Sequence, residues 1–190
     1  MTEKKSPSVL VDDRQVEKVA MICENIGLVY SGLGPDARLL LLKARKLAQI
    51  YRRNLGENPP VAMLVRDLAS VFQDFTQSGG VRPFGVSFLV AGIDAYHGAS
   101  LYQVDPSGTY WAWKASAIGK NYTQAKSFME KRYSEELDLQ DALHTAIQTM
   151  RQGFDGVLTA ESLQIGIAET ETGSFRLLTR PEIEEALTYA

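Results

Sequence analysis

The segment Phe84–Gly92, "FGVSFLVAG", constrains this chain more than any other. Side chains alternate between the two faces of a β-strand, so Phe84, Val86, Phe88 and Val90 share one face and Gly85, Ser87, Leu89 and Ala91 the other. Neither set carries a charge, and a strand that is apolar or small on both sides needs cover on both. A sheet with one wet face is therefore excluded, and other layers must enclose this strand.

The flanking sequence supplies those layers. Ile26–Leu33, "IGLVYSGL", is a short apolar run ending in glycines and reads as a buried strand. Gly34-Pro35-Asp36 then gives a turn, a proline suited to the first helical position and an acid suited to the N-terminal dipole. Leu40, Ala44, Leu47 and Tyr51 recur at helical spacing, which predicts a helix over about 35–54. A break at Gly56–Pro60 leads to a second helix, with Leu64, Leu68, Val71 and Phe75 inward, stopping at Ser78-Gly79-Gly80. Gly79 or Gly80 suits the left-handed conformation that closes a last helical turn. Asp105-Pro106-Ser107-Gly108 fits a type I turn at each position, so Leu101–Val104 and Tyr110–Ile118 form a predicted hairpin. Helices are expected over about 122–133 and 138–154, the second with Ala142, Leu143, Ala146, Ile147 and Met150 on one face. Leu163–Ala168 and Phe175–Leu178 form a second predicted hairpin, and Arg180-Pro181-Glu182 opens a terminal helix. Paired helices between antiparallel strands, without internal repeats, define the expected fold class: α/β (α+β), a four-layer αββα sandwich in a single domain over residues 1–190.

Composition agrees with an ordinary globular domain. The 190 residues suffice for a substantial core, and a net charge of −3 offers no field for nucleic acid. The single cysteine, Cys23, excludes an internal disulfide and a cysteine-based zinc cluster and points to a reducing compartment. No apolar run approaches the roughly 18 residues of a membrane span, so no membrane partner is expected.

Candidate chemistry is sparse. His97 and His144 have no partners at metal-ligand spacing, so no metal is expected. "GLGPD" lacks the phosphate-cradling glycine patterns, and no cofactor is expected. Glu135, Glu136, Asp138 and Asp141 fit a solvated linker and helix cap better than a catalytic carboxylate pair. Lys43, Arg45, Lys46, Arg52 and Arg53 are spread around one helix and read as a solvated or subunit-facing surface rather than a nucleic-acid interface. Removal of Met1 would expose Thr2, whose own amine can act as base to its hydroxyl, but the charged "EKKSPSVLVDD" that follows is not the rigid strand needed to aim a nucleophile.

Longer motifs carry a resemblance. "FTQSGGVRPFGVS" (Phe75–Ser87) resembles the "YTQSGGVRPFGVS" pattern of proteasome alpha subunits, with Phe75 in the aromatic place. "GLVYSGLGPDAR" (Gly27–Arg38), "RKLAQ" (Arg45–Gln49), "DPSGTYWAWKASAIGKNY" (Asp105–Tyr122) and "EKRYSEELDLQDALHTAI" (Glu130–Ile147) follow in that family's order, so the resemblance covers essentially the whole chain. It implies a sandwich of the N-terminal-nucleophile hydrolase type and a non-catalytic place in the outer ring of the 20S core particle. The implied partners are neighbouring alpha subunits, the beta subunits of the adjacent ring, and activators that dock through C-terminal tails, in ubiquitin-dependent degradation in cytoplasm and nucleus. Family members begin with a gate-forming tail, a helix and a first strand pair, whereas this chain starts at what resembles the end of the second strand, so the first helix and first strands are expected to be missing.

The resemblance also points to positions. The family's pocket lysine in a short "EK" motif falls on Lys18 of "VEKV", and a neighbouring pocket position falls on Leu33, which implies capture of an activator's terminal carboxylate; the plain alternative is an exposed lysine. Arg82 in "GGVRPFG" reads as a lock on the turn between helix and strand, pairing with carbonyls or a carboxylate, rather than as a ligand grip, with Gly79 and Gly80 closing the helix. Two other readings are an active threonine hydrolase of the same fold using Thr2 and a stand-alone binding module.

Overall fold

A computed structural model describes residues 1–4, 10–11, 16–153 and 158–189. The chain divides into two compact units, Met1–Val19 with Ala115–Gly166 and Leu177–Ala190, and Ala20–Lys114 with Ile167–Arg176. Antiparallel strands and paired helices give the mixed α/β architecture expected of the sequence.

The second unit is built on a five-stranded sheet. In the order along the chain its strands are β2 (Val19–Cys23), β3 (Ile26–Gly32), β4 (Val86–Asp94), β5 (Gly98–Val104) and β6 (Tyr110–Ala112), and they neighbour one another in that order. Strand β1 (Thr2–Glu3) belongs to the first unit. Helices α1 (Gly34–Leu55) and α2 (Val61–Gln77) contact each other, and both contact β4. Strand β4 alternates as foreseen: Val86, Phe88 and Val90 are buried, and Ser87, Leu89 and Ala91 are half-buried. It begins two residues later than the apolar run, because Pro83 has no N–H to give a ladder and the Gly85 N–H goes to a side chain. Phe72 of α2, fully buried, meets Phe84 and Phe88 edge-on with ring centroids 5.6 Å away in each case.

Two local differences from the sequence expectation have physical causes. Strand β2 precedes the first strand expected from the sequence, which begins at Ile26. Its five residues carry too short a period to register, and it is fixed by the buried Asn25 that follows, whose Nδ2 donates to the Ile93 carbonyl at 2.7 Å. Strand β6 ends at Ala112 rather than Ile118: it is the sheet edge, its residues are exposed, and Gly119 and Asn121 at φ of 91° and 59° break the extended chain beyond it. The turn before β6 is as expected, with the Gly108 N–H donating to the Asp105 carbonyl at 2.9 Å.

In the first unit α3 (Tyr122–Arg132) packs on α4 (Leu139–Gly153), and α4 on α5 (Arg180–Tyr189). Of the five residues expected on the inner face of α4, Ile147 is fully buried and Ala142 is exposed. The predicted strand Leu163–Ala168 divides at Ile165. Strand β7 (Leu163–Gln164) pairs with β1, and β8 (Gly166–Glu169) pairs with β9 (Ser174–Leu177), so one extended segment changes partner midway. Among the described residues no helix is long and apolar enough to cross a membrane.

The Phe72 contacts generate a prediction. Phe72→Ala leaves an aromatic-sized cavity between α2 and β4 and is expected to destabilise the chain by about 3–5 kcal/mol, read as a lowered urea midpoint; a change under about 1 kcal/mol would mean the site collapses around the loss.

Candidate functional site

The approach of α1 to β4 is tied together by one carboxylate. The first turn of α1 has no side-chain cap, because Leu33 precedes it and Asp36 is turned to another use. Asp36 accepts two hydrogen bonds from the Arg82 guanidinium, Nη1 to Oδ2 at 2.7 Å and Nη2 to Oδ1 at 2.8 Å, and a third from the Gly85 N–H at 3.0 Å. Arg82 Nη1 also donates to the Pro83 carbonyl at 3.0 Å. The Leu33 N–H donates to the Gly85 carbonyl at 2.8 Å, which carries the β3 ladder one residue past Gly32. Gly32 is at φ 125°, and a Cβ there would lie 2.2 Å from the Gly85 carbonyl oxygen, so only glycine lets "SGL" pass so close to β4. Leu33, Asp36, Arg82 and Gly85 are thus brought together, and half of the Leu33 surface stays open to solvent.

Electrostatics follow the geometry. The Arg82 fork, assisted by the Gly85 N–H, holds the Asp36 carboxyl below the usual carboxylate range, and the same pairing raises the Arg82 guanidinium further. Asp36 is buried while the Arg82 side chain is 64% exposed, so water screens the cation and the contact depends on its bidentate geometry more than on raw charge. Gly79 and Gly80 sit apart from this contact. Helix α2 closes at Ser78, whose N–H donates to the Asp74 carbonyl at 3.0 Å, and Gly80 takes a φ of 80° in the turn beyond the cap.

Lys18 belongs to the first unit and is half-buried. Among the described residues no carboxylate lies within ion-pair reach of its ammonium. Its backbone is held by the side chain of Gln164 on β7: Oε1 accepts from the Lys18 N–H at 2.7 Å and from the Val19 N–H at 3.1 Å, and Nε2 donates to the Val16 carbonyl at 3.1 Å. Sequence reasoning missed both Asp36 as the partner of Arg82 and Gln164 as the partner of this segment. An acid in the first turn of a helix announced Asp36 only as a dipole partner, and a lone glutamine in a strand announces nothing.

Several of the remaining candidates are engaged in structure. Thr2 sits in β1 opposite Gln164 and its hydroxyl lies 3.3 Å from the Glu3 carbonyl. The threonine therefore lies on a short strand, where a charged irregular stretch was expected. His97 Nδ1 lies 3.5 Å from Asp94, and His144 contacts Gln148 at 2.7 Å. No group of metal-ligating side chains occurs among the described residues. Asp138 accepts from the Asp141 N–H at 2.8 Å and so caps α4. Arg45 donates to the Met21 carbonyl, Arg52 pairs with Glu24 and Lys43 lies over the Phe75 ring, so these cations of α1 serve the fold.

With this geometry in hand, comparison with known proteins defines the class. The family described as "Proteasome subunit" matches residues 1–168, and the chain belongs to that family. Its relatives include "Proteasome subunit alpha type-2" of Oryza sativa subsp. indica, 54% identical over 186 residues that span 98% of this chain and 78% of the relative. "Proteasome subunit alpha type-2-B" of Arabidopsis thaliana is 55% identical over 186 residues with the same coverage. "Proteasome subunit alpha type-2" of Dictyostelium discoideum is 54% identical over 187 residues, 98% of this chain and 79% of the relative.

The Asp36 contact predicts a pH response. Because its folded pKa is depressed, its contribution is complete above the ordinary value near 4 and is lost as pH falls through that value toward the folded one. The difference in thermal stability between the wild type and Asp36→Asn should therefore be constant from neutral pH to about 5 and shrink below about 4. A difference that stays flat to pH 3 would show that the carboxylate contributes nothing through its charge.

Proposed function

We propose that this chain is a non-catalytic subunit of the outer alpha ring of the 20S proteasome, forming antechamber wall and part of the surface on which activators dock. The observation that carries this reading is the 54% identity, across 98% of the chain, to an alpha type-2 subunit. The site geometry agrees with a structural role. The polar contacts around "GGVRPFG" are spent on joining α1 to β4, and Arg82 is occupied by Asp36 rather than offered to a ligand. In this reading the chain contacts neighbouring alpha subunits and the beta subunits of the adjacent ring, and works in ubiquitin-dependent protein degradation in the cytoplasm and nucleus. Lys18, in the first unit, pairs with the terminal carboxylate of an activator's C-terminal tail, and Leu33, in the second unit, is separately exposed and open to apolar contact with activators.

Native mass spectrometry of material isolated through a tag on this chain is the direct test. A multi-subunit particle is expected; the chain alone, or in small homo-oligomers, would overturn the ring role and favour a stand-alone binding module. Within such particles Thr2→Ala should leave peptide hydrolysis unchanged, and covalent threonine-protease inhibitors should leave this chain unlabelled. Loss of a cleavage activity on that substitution would restore the hydrolase reading. Arg82→Ala should lower incorporation into the particle several-fold without altering cleavage preferences. Normal incorporation with altered preferences would mean that Arg82 acts on substrate.

A further inference from the structure

We infer that Gln164 is a positioning residue for activator docking: its side-chain amide holds the Val16–Val19 backbone and so fixes the direction in which Lys18 presents its ammonium. The inference rests on the reading of Lys18 as the carboxylate-binding group.

Three hydrogen bonds from one side chain carry it. Gln164 Oε1 accepts from two successive N–H groups, those of Lys18 and Val19, and Nε2 returns a bond to the Val16 carbonyl. An amide side chain offers one acceptor oxygen and one donor nitrogen, so Gln164 acts here as a peptide group would in a ladder. Its own backbone is already fixed, because β7 pairs with β1 at Thr2↔Gln164 and Glu3↔Leu163. Leu163 and Ile165 on either side are almost fully buried, which leaves Gln164 little freedom to swing. The clamp therefore transmits the rigidity of β7 to a segment that enters β2 only at Val19. An ammonium on a flexible stem over a loose backbone would lose conformational freedom on pairing with a carboxylate. On a clamped backbone part of that ordering is done beforehand, which raises affinity for the anion without any new contact.

The test uses whole particles purified through a tag on this chain. The probes are a synthetic decapeptide matching an activator's C-terminus, bearing a photo-crosslinker, and its twin with the terminal carboxylate amidated. The reading is the ratio of acid to amide crosslinked to this chain, taken from its mass shift, so crosslinks to other subunits do not enter. A ratio well above one is expected for the wild type, falling to about one for Lys18→Ala. For Gln164→Leu the ratio should fall about 3- to 10-fold with the amide yield unchanged, and Gln164→Glu, which keeps both acceptor bonds and loses the donor, should recover part of it. A merely structural lesion would lower acid and amide yields together. If Lys18→Ala leaves the ratio at its wild-type value, the docking role of Lys18 falls. If Lys18→Ala abolishes the preference while Gln164→Leu retains it, the positioning role of Gln164 falls alone. Should the leucine variant fail to enter particles, Gln164→Glu decides: an undiminished ratio overturns the inference and a partial loss supports it.

Discussion

The second unit turns on the carboxylate of Asp36. Three segments distant in sequence meet there: the first turn of α1, the connection that leaves α2, and the entry to β4. Each arrives with a backbone problem. Helix α1 starts without a side-chain cap, Pro83 has no N–H, and Gly85 stands just outside the β4 ladder with a donor to satisfy. Asp36 answers the last directly and, through the Arg82 fork, holds the connection that leads into Phe84, whose ring meets Phe72. The contact is weak as an ion pair, because the guanidinium is largely in water, yet removing Arg82 would leave a buried carboxylate short of two partners. That asymmetry explains how a largely exposed arginine can matter to a core it does not enter.

The core itself was legible because it is periodic. Alternation in "FGVSFLVAG" and helical spacing in α1 and α2 are properties of adjacent residues, and each element came out within about two residues of its place. What escaped were features fixed by distant partners. Strand β2 is five residues of mostly apolar chain that become a strand because β3 lies beside them and Asn25 anchors the turn. The segment around Ile165 is uniform in pattern but serves two sheets, since the choice of partner is made by β1 and β9 and not by the segment. The premature end of β6 belongs to the same class, because an edge position cannot be read from the strand that occupies it.

The candidate site divides along the same line. Arg82 was recognisable as special, the lone cation in an apolar passage, whereas Gly32 was only one of the glycines ending an apolar run, and the reasons for both were invisible. Gly32 is required by the Gly85 carbonyl and Arg82 by Asp36, 46 positions away. Gln164 is the extreme case: its bond to Lys18 spans 146 positions and nothing near it in the chain hints at a backbone in need of partners. Lys18 came only from a resemblance, and the resemblance names the side chain without saying what holds it.

Asp36, Asp94 and Gln164 share one device, and it bears on why this scaffold can display fixed surfaces at the ends of its elements. Asp36 serves the Gly85 N–H; Asp94 serves the N–H groups of Val61, Tyr96 and His97; Gln164 serves Lys18, Val19 and Val16. In each case a side chain rooted in a helix or strand supplies the partners that a ladder cannot reach at a corner. Loops held only by their own turns fray and spend entropy when a partner arrives, whereas corners pinned from a strand or helix present their side chains already ordered. The polar side chains that look least functional by type, a glutamine and two carboxylates, are therefore the ones that order the corner backbones of this fold.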